Sequence, residues 1–340
     1  MIPFSSRLSR VLVRLKESGL VPLAVTVAVL TVATQFYVGD LAADKFTPER
    51  WQLIGAAVGM FLFTSLLLDL VASLFHLRSY RDRATGRIEV AGLWRRCYTN
   101  PLAGAVFMAV VFFGITSAQD LSELYRSSVT CWHDAELWRL EMPFFRLLHD
   151  SLVDQPQFWD KIYFLLWVYI ITGFAFLYRV GSRYELGLVS IALVGSFFMT
   201  RLIAIHYPTA GPVFFNPGFF DLDGTVSKKI QSLLVLYMHG EIPQNGLIPG
   251  TMGMPSLHVG LTFLMTWFVA RQARWTLWLT LPWSLLIWLS TVMLGWHYVV
   301  DGVGGIVVVA AVALLAHGLL QVMGVARAPA VETEVSVEPA

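Results

Sequence analysis

The chain is poor in cysteine and poor in charge. Two cysteines, Cys97 and Cys131, stand among 340 residues. The topology drawn below puts them on opposite sides of a membrane, which excludes a disulfide framework. Charged residues make up 14% of the sequence, where a soluble domain carries about 25%, so a soluble enzyme is excluded. The formal net charge is +1, and that balance removes the strongly basic or acidic surface a nucleic-acid partner would require. No cleavable leader is expected: Arg7, Arg10, Arg14 and Lys16 precede an apolar stretch that is long and lacks a small-residue cleavage pattern. His76, His133, His149, His239 and His317 have no companions at metal-ligand spacing. Neither a metal nor another cofactor is expected.

Apolar length is what the chain has in quantity. Hydrophobic residues are 56% of it and mean hydropathy is +0.64. Runs of about 18 or more apolar residues recur, each long enough to cross a bilayer as a helix. The pattern predicts an all-α polytopic membrane bundle of about eight transmembrane helices. They cover residues 19–38, 53–77, 102–118, 161–179, 186–206, 255–270, 275–296 and 301–321. Orientation follows from Lys and Arg. With the N-terminus inside, Arg7 to Lys16, the arginines of 78–96, Arg179, Arg183, Arg271, Arg274 and Arg327 fall on the cytoplasmic side. Most acidic residues fall outside.

The expected organisation is a basic cytoplasmic N-terminus (1–18), two additional transmembrane helices with a basic cytoplasmic loop (19–101), a six-helix catalytic core (102–321) and a flexible cytoplasmic tail (322–340). The cell (inner) membrane is the expected location. The 12 Trp and 23 Phe fit interfacial belts and lipid-facing surfaces. Outer segment 119–160 is aromatic and acidic and suits helices lying on the membrane surface. Outer segment 207–254 is rich in Pro and Gly, and its one helical stretch, Val226 to Met238, carries Lys228 and Lys229 on its first turn.

Two short segments bring polar chemistry to the outer edge of this apolar background: Met254-Pro255-Ser256-Leu257-His258 and His297-Tyr298-Val299-Val300-Asp301. Pro255 suits a first helical turn. The backbone N–H groups of Ser256, Leu257 and His258, with the Ser256 hydroxyl, then form an anion site of the kind phosphate occupies. His297 and Asp301 are four residues apart and share a helix face, so the carboxylate can fix the imidazole tautomer. Each segment alone also reads as an ordinary cap with a buried histidine. Together at one membrane face they supply a nucleophile, a proton donor and an orienting group for work on a phosphate ester. Spacing does not say which histidine attacks.

The two segments resemble the second and third motifs of the type 2 phosphatidic acid phosphatase and vanadium haloperoxidase superfamily, Pro-Ser-x-His and Ser-Arg-x5-His-x3-Asp. The second is complete in Pro255, Ser256 and His258. The third runs from Ser290-Thr291 through five residues to His297, and through three more to Asp301. The resemblance covers about 102–321. It implies a six-helix core without a metal, in which His297 attacks phosphorus to form a phosphohistidine, Asp301 orients it, and His258 protonates the leaving group and then activates the acceptor. Thr291 stands where the family has arginine. The first motif, Lys-x6-Arg-Pro, is not intact: aligning on Pro208 puts Tyr207 at its arginine and Thr200 at its lysine, with Arg201 one position off.

Arg201, Lys228 and Lys229 are the replacement cations, and Ser256, Thr291 and Tyr298 complete the expected substrate-binding set. Arg201 also reads as a snorkelling side chain, and the lysines as interfacial lipid contacts. The altered cations weaken the case for a phosphomonoester. They resemble the inositol phosphorylceramide synthase-like (aureobasidin-resistance-like) branch, which shares Pro-Ser-Leu-His and His-Tyr-x-x-Asp and transfers a phosphoryl head group between lipids. Asp69, near the inner third of its span, is read as structural.

The expected function is phosphoryl transfer on lipid phosphate esters, as a head-group phosphotransferase or a lipid phosphate phosphatase. The expected partners are a lipid phosphate and the bilayer, with oligomeric state left open. The competing class is a lipid transporter, scramblase or membrane scaffold. A transporter would gather its polar groups near the bilayer midplane; here they gather at one edge.

Overall fold

The computed structural model describes residues 19–39, 47–75, 90–129, 131–152, 155–239, 241 and 253–325. The expected basic N-terminus (1–18), most of the arginine-rich loop and most of the tail lie outside these residues. The described chain is helical: α1 (Leu20–Val38), α2 (Pro48–Phe75), α3 (Val90–Ser117), α4 (Asp120–Ser128), α5 (Asp134–Ser151), α6 (Pro156–Val180), α7 (Arg183–His206), the single turn α8 (Pro212–Phe215), α9 (Val226–Met238), α10 (Leu257–Gln272), α11 (Leu277–Met293) and α12 (Val299–Val322). This is a polytopic helical membrane bundle.

Seven helical stretches are long and apolar enough to cross a membrane, one each from α1, α2, α6, α7, α11 and α12 and one over 104–122. The eighth expected span, 255–270, is α10, which has only 16 residues. At 1.5 Å per residue it is about 24 Å long, short of the roughly 30 Å hydrocarbon core. The chain reaches it as non-helical backbone through residues 253–256, and this irregular approach takes up the missing length. Despite its shortness α10 is central, packed against α6, α7, α11 and α12. Helix α2 packs on α3 and α6, and α1 on α3 and α7. Phe36, Phe63, Val307, Leu314 and Val322 point outward from the bundle, as a lipid-facing surface requires.

Glycine sets how closely α10 and α12 approach. A Cβ at Gly305 of α12 would lie 2.0 Å from the Ser256 carbonyl oxygen, and one at Gly260 of α10 would lie 2.7 Å from the Gly305 oxygen. The Ser256 N–H donates to the Asp301 carbonyl at 2.8 Å across the same crossing. A methyl here must push α12 off α10. Gly305→Ala is expected to cost about 1–3 kcal/mol, read as a lower unfolding temperature in detergent; an unchanged unfolding temperature would refute this packing.

The end of the bundle opposite the histidines gathers Arg179, Arg183, Arg271 and Arg274. Asp69 pairs there with Arg179, in keeping with a structural role. Glu185 caps α7 through a reciprocal box with Ser182, lies 3.5 Å from Arg271 and accepts a hydrogen bond from Gln272 at 2.6 Å. Exposed Trp275 and Trp278 mark this end and Trp51 and Trp132 the other, a belt at each interface. Other aromatics depart from that expectation. Trp159, Trp296, Phe145, Phe220 and Tyr298 bury one another in a second core over the histidine end.

Candidate active site

Three carboxylates hold this cap together, each accepting two backbone N–H groups. Asp134, at the start of α5, takes Ala210 and Gly211, both at 2.9 Å. Asp160 of α6 takes Val226 and Ser227 at 2.8 and 2.9 Å. Glu141 of α5 takes Val299 and Val300 at 2.6 and 2.8 Å. The latter two satisfy donors that the first turns of α9 and α12 cannot satisfy internally. Burial pushes the Asp134 and Glu141 carboxyls up, while the N–H bonds they accept pull them down. Sequence reasoning missed all three; the acidity of 119–160 was the available signal.

The third-motif histidine sits where the chain turns from α11 into α12. Gly295 takes φ 67° there, a conformation that only glycine adopts without strain. The Thr291 carbonyl receives the N–H groups of Trp296 and His297 at 2.9 and 3.3 Å. His297 is 4% exposed. Its Nδ1 lies 2.8 Å from the Gly253 carbonyl oxygen and 3.5 Å from Asp301 Oδ2. Its Nε2 lies 3.2 Å from His258 Nδ1. His258 Nε2 in turn lies 3.2 Å from the Tyr163 hydroxyl. Tyr163 stacks on Trp296 with centroids 5.6 Å apart and planes at 11°, and Trp296 Nε1 donates to Ser227 Oγ at 3.0 Å.

These contacts dictate the tautomers. A carbonyl only accepts, so His297 carries its proton on Nδ1 and presents a bare Nε2. His258 Nδ1 must then be the donor to that nitrogen, and its Nε2 accepts from Tyr163. The result is a directed chain: Tyr163 O–H to His258, His258 N–H to His297, His297 N–H to Gly253. Burial drives the His297 pKa down to about 4, against a smaller upward pull from the Gly253 carbonyl. His297 is therefore neutral at pH 7, with a nucleophilic lone pair facing a proton donor.

A cavity of about 470 Å³ opens from this pair into the bundle, lined by His258, His297, Tyr163, Arg201 and Gln119 at its polar end. Leu53, Ala56, Ala57 and Met60 of α2 and Trp167 and Ile171 of α6 wall the rest. From Tyr163 to Ile171 along α6 is about 12 Å at 1.5 Å per residue, so the apolar part runs well into the membrane layer. Arg201 is 7% exposed. Its Nε donates to Ser122 Oγ at 3.3 Å and its Nη1 to the Phe197 carbonyl at 3.1 Å. Among the described residues no carboxylate pairs with it.

The structure thus brings His258, His297, Asp301 and Arg201 together and leaves other expected ligands elsewhere. Lys228 and Lys229 are exposed, do not line the cavity, and Lys228 pairs with Asp223. Their helix braces Trp296 instead. Thr291 Oγ1 turns back to the Trp288 carbonyl at 2.7 Å, and the Tyr298 hydroxyl donates to the Asp134 carbonyl at 3.2 Å; both act on the scaffold. Ser256 is fully buried. Its Oγ accepts from the Val259 N–H at 3.4 Å, and its own N–H donates to the Asp301 carbonyl, so the expected anion site loses that N–H. Asp301 Oδ2 accepts the Tyr298 N–H at 2.8 Å. At 3.5 Å from His297 Nδ1 it stands at the outer limit of a hydrogen bond. Tyr163, Gln119 and Gly253 were not foreseen. Tyr163 and Gly253 lie in an apolar run and a glycine-rich stretch, and Gln119 in a polar turn, Ser117 to Glu123, that does not single it out.

Fold and site together define a membrane helix bundle with a buried imidazole pair at the polar end of an apolar cavity. Residues 152–315 match the family model described as the PAP2 superfamily, which supports membership of that superfamily and a phosphatase-type lipid phosphoryl-transfer chemistry. The match spans α6 to most of α12 and begins after α1–α5. No curated protein and no solved structure matches the chain.

Proposed function

We propose that the chain transfers a phosphoryl group from a lipid phosphate ester to an acceptor through a phosphohistidine on His297. The observation that carries this reading is the contact between bare His297 Nε2 and His258 Nδ1–H at 3.2 Å. A phosphoryl group entering from the cavity separates the two rings. Nε2 then bonds to phosphorus, the bond to the leaving oxygen breaks, and that oxygen takes the proton from His258 Nδ1. In the second half, His258 Nδ1 removes a proton from the acceptor hydroxyl, whose oxygen bonds to phosphorus as the P–N bond breaks. Tyr163 keeps His258 in the required tautomer, and the Gly253 carbonyl, with the Asp301 carboxyl 3.5 Å away, does the same for His297. Arg201 offsets charge on the non-bridging oxygens.

An apolar cavity ending in one guanidinium fits a lipid carrying a phosphodiester monoanion better than a dianion. That supports head-group transfer, as in the inositol phosphorylceramide synthase-like branch, over hydrolysis. The arginines gathered at the opposite end support an extracytoplasmic site in the cell membrane. The purified protein is expected to make a new phospholipid from a lipid donor and an alcohol acceptor. Release of free phosphate alone would assign it as a phosphatase, and no turnover of any lipid phosphate would refute the reading.

The depressed His297 pKa also predicts a pH profile. Below about 4 His297 takes a proton and loses its lone pair. After correction for substrate ionisation, kcat/KM should stay level through neutral pH and fall only on approaching that value. An acid limb near 6.5, the ordinary imidazole value, would contradict a buried neutral nucleophile.

A further inference from the structure

Gln119 has no part in the chemistry above, yet its placement calls for a ligand. It is 6% exposed and lines the cavity with Arg201, His258 and His297. Its Oε1 is buried and has no hydrogen-bond partner among the described residues. Buried polar atoms left unpaired are rare in folded proteins, and the backbone that carries this one is tied down. The neighbouring Asp120 receives Arg50 Nη2 from α2 at 3.0 Å, and Arg50 Nη1 donates to the Thr116 carbonyl at 3.1 Å. The Gln119 carbonyl accepts the Ser122 N–H at 2.8 Å, and Ser122 is the residue that holds Arg201 Nε. The acceptor is therefore mounted on one short, tied-down segment, which also holds the cation of α7 through Ser122.

We propose that Gln119 is a specificity-determining residue whose Oε1 accepts a hydrogen bond from a hydroxyl next to the transferred phosphate. This deepens the phosphoryl-transfer reading and rests on it. The ligand has three parts: a phosphate at Arg201 and the histidines, a hydroxyl at Gln119, and a hydrocarbon chain along α2 and α6. The hydroxyl belongs either to the lipid phosphate itself or to the acceptor alcohol. A site built around a buried acceptor discriminates strongly against a ligand that lacks the matching donor, because the acceptor then stays unpaired.

The test compares wild type with Gln119→Leu, which keeps the volume, and Gln119→Asn, which withdraws the amide by one methylene. Equilibrium binding to the purified full chain is measured for two alkyl phosphonates of equal chain length, one with a hydroxyl beside the phosphonate and one without. Wild type is expected to prefer the hydroxylated compound by about tenfold, and both variants to lose that preference. In a second arm, turnover is measured against alcohol concentration. If the binding preference is absent but the variants need about tenfold more alcohol for half-saturation, the hydroxyl is the acceptor's. A preference that survives in Gln119→Leu, or no difference in either arm, overturns the proposal. Phosphonate binding needs no turnover, so failure here is distinguishable from failure of the phosphoryl-transfer reading.

Discussion

His297→Ala should lower lipid phosphate turnover by at least about 10,000-fold, the scale on which removing a covalent nucleophile acts. The variant loses the cavity-lining nitrogen whose bare lone pair faces the His258 Nδ1–H. His258 cannot substitute, because its Nδ1 carries the proton and its Nε2 is held by Tyr163. Stability should change little, since the imidazole borders an existing cavity and its removal enlarges that space without opening the packed core. Initial rates in detergent micelles and thermal unfolding of the same preparation check both halves. Activity within tenfold of wild type would show that another group attacks phosphorus.

Arg201→Met should reduce turnover by about 100- to 1,000-fold, the usual effect of removing one charge-stabilising donor from a transition state. It should leave the protein at least as stable as wild type. The second half separates a substrate ligand from a structural cation. A guanidinium that braces the fold has a carboxylate to lose; among the described residues Arg201 has Ser122 Oγ, the Phe197 carbonyl and the Phe197 ring, and no carboxylate. Replacing an unpaired buried charge with an apolar chain of similar volume removes a desolvation cost. A large loss of stability with kcat unchanged would assign Arg201 to the scaffold.

The legible parts of this molecule were those written as local chemistry. Long apolar runs announced the helices, and the spacings of Pro255-Ser256-x-His258 and His297-x3-Asp301 announced two segments that do meet. Span 255–270 was placed two residues early, because periodicity does not reveal that Pro255 and Ser256 end an irregular approach and the helix runs Leu257–Gln272. Lys228 and Lys229 read either as replacement cations or as interfacial lipid contacts, and the contacts of α9 leave them exposed and off the cavity. Tyr163 and Gln119 were illegible for a different reason. Neither stands out from its neighbours in sequence, and the meaning of each depends on partners tens of residues away. The same holds for Asp134, Glu141 and Asp160, whose backbone partners exist only once the cap has folded.

Chemical trapping addresses the mechanism most directly. The full-length protein is mixed briefly with a lipid donor carrying labelled phosphorus, quenched in base and digested. Label is expected on the peptide containing residue 297, stable to base and labile to acid as a phosphoramidate is, and missing from His297→Ala. Label on any other residue, or full wild-type turnover with no phosphorylated histidine formed at any time, would contradict the account.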